Sequence, residues 1–202
     1  MKLNEIYRQI ARQSGIEGVF TFSNSIPGCF KGAFAEIVRL RASEDSPLPM
    51  FEDEMLPLIG NVNVSVDLSN GIGDYLLTGI DRLAYVYGVS TADNRFIPFK
   101  YVSSLELNDM MNNEYTRPSV NEGYWAKNGS RIRIANGSDK SPIYIQILVV
   151  KNPDVSKWND EYDFSGYGFG FIQAVINRAI DKLQNVAARR GVYGNDPKRN
   201  QT

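Results

Sequence analysis

The chain has 202 residues, enough for one domain with a substantial core and a small added lobe. Hydrophobic residues make up 43% and charged residues 22%, the balance of a folded globular protein and not of a disordered chain. A formal net charge of -1 excludes any overall electrostatic pull towards nucleic acid or an anionic membrane.

The first element is a one-sided helix, because Leu3, Ile6, Tyr7 and Ile10 recur at i, i+3, i+4, i+7, and Ser14-Gly15 closes it. Val19-Phe20-Thr21-Phe22 reads as a short strand. Pro27-Gly28 then introduces a second helix with Phe30, Ala33, Phe34, Ile37 and Val38 inward and Glu36, Arg39 and Arg41 outward. The prolines of Ser43–Pro49 stop that helix in a loop.

From Leu56 the period changes to two. Val62, Val64, Val66 and Leu68 alternate with Asn63, Ser65 and Asp67, which predicts a strand with one dry and one wet face. A loop is expected over Ser69–Asp74, followed by a β-rich segment from Tyr75 to Tyr87 with Leu83, Tyr85 and Tyr87 on one face. Phe96-Ile97-Pro98-Phe99 is a short extended piece that its proline confines to an edge. Ser103 or Ser104 caps a short helix through Leu105, Leu107 and Met110.

Three further strands follow, at Gly123–Lys127, Arg131–Ala135 and Ile143–Val150, with Asn128-Gly129 as a tight hairpin signal between the first two. In the last, Ile143, Ile145, Ile147 and Val149 line one face while Tyr144, Leu148 and Val150 line the other, which marks a central strand or one buried by a neighbour. The aromatic-glycine run Phe164–Phe171 leads into the longest helix, striped by Ile172, Val175, Ile176, Ala179, Ile180, Leu183, Val186 and Ala187. The expected architecture is α+β: one domain over 1–188, helical in 1–45 and 165–188, with an antiparallel β-rich part over 56–151 and a flexible tail over 189–202.

Histidine is absent, which removes the usual general base near neutral pH, the commonest metal ligand, and every Ser-His-Asp or Cys-His pair. Cys29 is the only cysteine, so neither an intrachain disulfide nor a Cys-x-x-Cys knuckle is available, as suits synthesis in a reducing compartment. Its apolar neighbours predict a buried thiol, not a reactive one. The first residues lack an apolar signal core, and no run approaches the roughly 18 apolar residues that cross a bilayer.

Carboxylate chemistry stays open at Asp160, Glu161 and Asp163, which are expected to form a solvated loop face because they lack the spacing of a calcium loop. Gly71-Ile72-Gly73 lacks the third glycine of a dinucleotide turn and the lysine of a phosphate loop, so it reads as a plain turn. Asn128-Gly129-Ser130 and Asn136-Gly137-Ser138 fit the glycosylation pattern but are also good turn sequences. The run holding Phe164, Tyr167, Phe169 and Phe171 has no interleaved basic residues, which favours packing or a subunit contact over nucleic-acid stacking. No catalytic, cofactor or metal constellation is assigned. A non-catalytic structural subunit is expected, with a β-rich carbohydrate- or peptide-binding module as the alternative.

The succession is distinctive in its second half. A short helix entered through Val102-Ser103-Ser104-Leu105-Glu106 gives way to Arg117-Pro118, Gly123-Tyr124-Trp125 and Asn128-Gly129-Ser130-Arg131-Ile132, then to the isoleucine-rich strand and a closing helix. This order resembles the head-to-tail adaptor, or gatekeeper, ring proteins of short-tailed bacteriophages, and is most similar to a ring protein of the crAss-like phages. The resemblance implies a virion protein at the head–tail junction, assembled in the host cytoplasm as a homo-oligomeric ring, commonly a dodecamer. It implies the portal and adjacent ring or tail proteins as partners, no membrane, and DNA only as passing cargo. Tyr85, Tyr87, Tyr124, Trp125, Phe169 and Phe171 are the expected aromatic anchors of subunit contacts, together with Tyr144, and Arg189 and Arg190 open a tail that reaches a neighbour.

Overall fold

The computed structural model describes residues 1–15, 24–42, 54–92, 97–138 and 140–189. The expected strand at Val19–Phe22, the loop at Ser43–Pro49, Phe96, Arg190 and the rest of the tail lie outside the described residues. In chain order the first elements are α1 (Leu3–Gln13), α2 (Ile26–Arg41), β1 (Ile59–Val66), β2 (Ile72–Leu76) and β3 (Leu83–Thr91). Then come β4 (Lys100–Tyr101), α3 (Ser104–Asn112), β5 (Gly123–Asn128), β6 (Arg131–Asn136), β7 (Ile143–Lys151) and α4 (Phe169–Arg189). The fold is α+β with helices towards both ends of the sequence. It divides into two compact units, one from the described parts of Met1–Pro57 and Asn152–Thr202, the other from Leu58–Lys151.

In the helical unit, α2 packs on α4 and α1 packs on both. Leu3, Ile6 and Ile10 are buried as their spacing predicts. Pro27 sits in the first turn of α2, where its missing N–H would have had no partner. The last helix buries Phe171, Ile172, Val175, Ile176, Ala179, Leu183 and Ala187, and it extends through Arg189, which the sequence pattern had assigned to the tail.

The centre of this unit is aromatic. The Phe30 ring lies 5.8 Å from Tyr7, 5.5 Å from Trp158 and 5.6 Å from Phe164. Phe34 continues the chain of contacts, at 5.4 Å to Tyr167 and 5.1 Å to Phe171. Most of these pairs meet edge to face, the geometry that sets a ring's positive edge against its neighbour's negative face. The glycines of the aromatic run let it pack tightly. Gly168 donates its N–H to the Glu54 carbonyl at 2.9 Å, and a Cβ there would stand 2.9 Å from Glu54 Cα.

The β-rich unit contains two sheets, in the orders β1-β7-β3 and β2-β6-β5-β4. All pairings are antiparallel except the short β4–β5 ladder. Val66, Val86, Val89, Ile145, Ile147 and Val149 of the first sheet share one core with Trp125, Ile132 and Ile134 of the second, so the sheets face each other as a sandwich. On the other face of the second sheet, Leu107 and Met111 of α3 cover Ala126 and Ala135. Of the two positions that its apolar faces allow, β7 takes the central one in its sheet.

Several local readings need correction. The loop expected over Ser69–Asp74 is only a turn at Asn70-Gly71, both at positive φ, and β2 has already begun at Ile72. The segment Tyr75–Tyr87 is not one element. It ends β2, turns through Leu77–Gly79 and starts β3 in the other sheet. Nor do Leu83, Tyr85 and Tyr87 share a face. Bulges interrupt β3 between Leu83 and Tyr85 and between Val86 and Gly88, so Leu83 opposes Lys151 while Tyr85 opposes Val150, of opposite parity on β7. The bulges instead bring Val86 and Val89 into the core row.

Ser103 caps α3, its hydroxyl accepting from Glu106 N at 3.1 Å, and the helix buries Leu107 and Met111. In the β5–β6 hairpin Asn128 pairs with Arg131, so the turn residues are Gly129-Ser130. A positive φ at Gly129 and not at Ser130 is the pattern of a type II′ turn.

Asn136, at the end of β6, is a buried polar clamp. Its Nδ2 donates to the carbonyls of Glu122 (2.8 Å) and Val120 (3.3 Å), and its Oδ1 accepts from Ser138 N (2.9 Å). Asn136→Ala is expected to destabilise the protein by about 2 kcal/mol, because two carbonyls lose their donor in a buried setting. Phe34→Ala, which empties the centre of the aromatic cluster, is expected to cost about 3–5 kcal/mol. Chemical unfolding followed by tryptophan fluorescence measures both.

Candidate interaction surfaces

The anchors expected from sequence separate into two groups. Trp125 (4% exposed) and Phe171 (0%) are core residues, so neither is available to a neighbouring molecule; this corrects their assignment as interface anchors. The physical reason is the same in both cases: each falls on the buried parity or face of its element, Trp125 opposite Ile134 inside the sandwich and Phe171 on the inner stripe of α4.

Tyr85, Tyr87 and Tyr124 are half-buried. The Lys127 ammonium stands 5.3 Å from the Tyr85 ring and that of Lys100 5.8 Å from the Tyr124 ring, so both rings carry a cation on one face. Phe169, two residues before Phe171, is 75% exposed, and Tyr144 on β7 is 67% exposed. Arg189 is exposed at the end of α4.

The structure also exposes apolar residues that the sequence pattern did not single out. Leu105 is 73% exposed and Tyr115 98% exposed, and Tyr101 and Val120 lie in the same stretch of the β-rich unit. For Leu105 a signal was present: residues two apart cannot share a helix face, so Leu105 and Leu107 could not both point inward. Tyr115 carried none, because a loop tyrosine has no periodicity to report its burial.

The charged residues that invited a chemical reading have structural partners. Asp160, Glu161 and Asp163 border the start of α1. Leu3 N donates to the Tyr162 carbonyl at 3.0 Å and Asn4 N to the Asp160 carbonyl at 3.2 Å, which satisfies amides that open every helix without an intrahelical partner. Lys2 pairs with Glu161, and this hydrogen bond is the main cause that holds the ammonium pKa above its ordinary value. Asp163 accepts from Ser165 N (3.0 Å) and Oγ (2.9 Å), and its pKa falls chiefly through those bonds. Carboxylates at this end also suit the positive pole of the helix. Among the described residues no three His, Cys, Asp or Glu side chains converge as metal ligands.

The aromatic-glycine run does not form an open stacking platform, since Phe164, Tyr167 and Phe171 are all buried. Burial is the first cause that raises the Tyr167 hydroxyl pKa. Gly71 and Gly73 serve the turn and strand of β2, and both Asn-Gly-Ser sequences terminate strands.

A basic groove of about 470 Å³ runs along α4. Arg178, Lys182 and Arg189 line one wall, and Gly28, Cys29 and Gly32 of α2 form the other. Burial pushes the Cys29 thiol pKa up, which disfavours the reactive thiolate. Glu36 crosses between the helices: Arg178 Nε donates to it at 2.9 Å and Lys182 Nζ at 2.8 Å. In the β-rich unit Arg133 and Asp74, cross-strand partners on β6 and β2, form a two-bond fork at 2.9 and 3.1 Å.

The Arg178 and Lys182 hydrogen bonds lower the Glu36 pKa from 4.5 to about 2. Because folding lowers it, the pairing stabilises the protein above pH 4.5 and is lost as the pH falls through about 2. Glu36→Gln is therefore expected to melt below the wild type at pH 7, with the gap closing between pH 4.5 and 2. Differential scanning calorimetry across that range checks this, and a gap that stays constant with pH contradicts it.

No protein-family model matches the chain, and none of the curated proteins matches it.

Proposed function

We propose that the chain is a structural subunit of a bacteriophage virion that assembles into a ring, continuing the DNA channel between portal and tail. The order of elements summarised above supplies the resemblance. The observation that carries the reading is the set of large apolar side chains left open to solvent in both compact units: Phe169 in the helical unit, and Leu105, Tyr115 and Tyr144 in the β-rich unit. Side chains of this kind are the usual anchors of protein–protein contacts, where an aromatic ring covers much area at little entropic cost. A ring needs two different surfaces on each copy, since one subunit's front meets the next one's back.

Native mass spectrometry of the chain mixed with its portal protein tests the proposal. A closed ring of fixed copy number, a dodecamer by the resemblance, is expected on the portal. Phe169→Asp and Leu105→Asp are expected to weaken assembly about tenfold or more while leaving the fold intact, since both positions are exposed. A chain that remains monomeric and never binds portal overturns the reading.

A groove of about 490 Å³ in the β-rich unit favours a second reading, that of a peptide- or carbohydrate-binding module. It is lined by Ile97, Phe99, Val120, Ile143 and Tyr144 with Asn121 and Lys140 at its polar positions. This module would use the groove and not the buried aromatic-glycine run. Binding of a glycan or peptide in isothermal titration calorimetry, lost in Tyr144→Ala, would support it.

A further inference from the structure

Among the described residues, strand β1 is an edge strand with none of the usual protections. It pairs only with β7, through eight consecutive residue pairs and without a bulge. Its sequence, Ile59-Gly60-Asn61-Val62-Asn63-Val64-Ser65-Val66, contains no charge and no proline. Among the described residues, no hydrogen bond beyond the β7 ladder reaches its backbone. A long, flat, neutral edge with a free row of N–H and C=O groups is a template for another strand, and proteins normally blunt it with lysine, proline or a bulge. The other edges here are blunted. The far edge of the same sheet, β3, carries two bulges and is capped where Pro98 bridges Ser90. In the second sheet β2 presents Asp74 and β4 has only two residues.

We infer that β1 pairs antiparallel with β1 of a second copy of this chain, joining the two three-stranded sheets into one. The composition of the strand selects this occupant. Directly opposed residues of an antiparallel pair share a face. With Asn63 on the twofold axis, Val62 opposes the second copy's Val64, and Asn61 opposes its Ser65. Valine thus meets valine on the core-facing row, where Val62 and Val64 already pack against the sandwich core. On the wet row, where Asn61, Asn63 and Ser65 are exposed, neutral hydrogen-bonding side chains meet one another. A one-residue slip would join the core-facing row of one copy to the wet row of the other, so pairing favours registers that keep valine opposite valine. No other described edge of a second copy offers a flat row of matching length.

The contact stands independently of the ring reading. It uses one patch on both copies and closes at two, so it belongs to the free chain, and a ring polar from portal to tail is built through other surfaces. Portal is not needed for it.

The test uses the full chain alone, in analytical ultracentrifugation over a concentration series. The wild type is expected to show a monomer–dimer equilibrium. Asn63→Lys and Asn63→Glu each place like charges across the axis and are expected to weaken the dimer about fivefold or more. Mixed one to one, they are expected to form a heterodimer at least as tight as the wild-type dimer. That rescue separates the effect from loss of folding. A wild type that stays monomeric at every concentration overturns the inference, as does any association that neither charge changes or that the mixture fails to restore. Failure to bind portal would overturn only the ring reading.

Discussion

The double pairing of β7 governs the β-rich unit. This strand binds β1 on one side and β3 on the other, both distant in sequence, and its Ile145, Ile147 and Val149 form the middle of the sandwich core. Because strand side chains alternate, moving β7 by one residue would replace that row by Tyr144, Gln146 and Leu148 and set a polar amide in the core. The register of all three strands is held by that single cost. Its consequences reach the surface. Centring β7 leaves β1 as an open edge, and matching β3 to the same core row requires the two bulges that turn Tyr85 away from Leu83.

Aromatic residues have a different part in each unit. In the helical unit they are the core: rings from α1, α2, α4 and the segment before α4 meet edge to face around Phe30 and Phe34. In the β-rich unit aliphatic side chains dominate the core, with Trp125 and Phe99 as its large rings, while several tyrosines reach the surface. Aromatic content alone therefore does not measure interface potential. Phe169 and Phe171 make the point within two residues, one open to solvent and the other fully buried, because two positions on a helix are separated by more than half a turn.

Charge is used locally. The acidic residues at 160–163 accept from and neutralise the start of α1, Glu36 ties α4 to α2, and Asp74 joins β2 to β6. The pairs lie partly exposed, where each contributes little to stability and more to choosing which surfaces meet. In the interior, Asn136 has its amide donors and acceptor engaged at the strand end.

Element type and order were legible along the chain. The helical stripes of α1, α2 and α4, the two apolar faces of β7, the serine cap of α3 and the strands flanking Gly129 all follow from periodicity and turn chemistry, which are local properties. What the chain could not disclose was which elements share a sheet, where β3 bulges, and which of two neighbouring aromatics faces inward. Those outcomes arise from cross-strand register and packing between segments far apart in sequence. Tyr75–Tyr87 looked continuous because both halves favour extended backbone, and only the partners β6 and β7 divide it between two sheets. In the same way Trp125 and Phe171 looked like surplus apolar surface until a facing sheet and a facing helix enclosed them. Sequence by itself determined the α+β class and the buried stripes of α1, α2 and α4, because backbone period acts within a few residues. Tertiary structure alone decided which rings remain outside, because burial is a property of what packs against a residue and not of the residue itself.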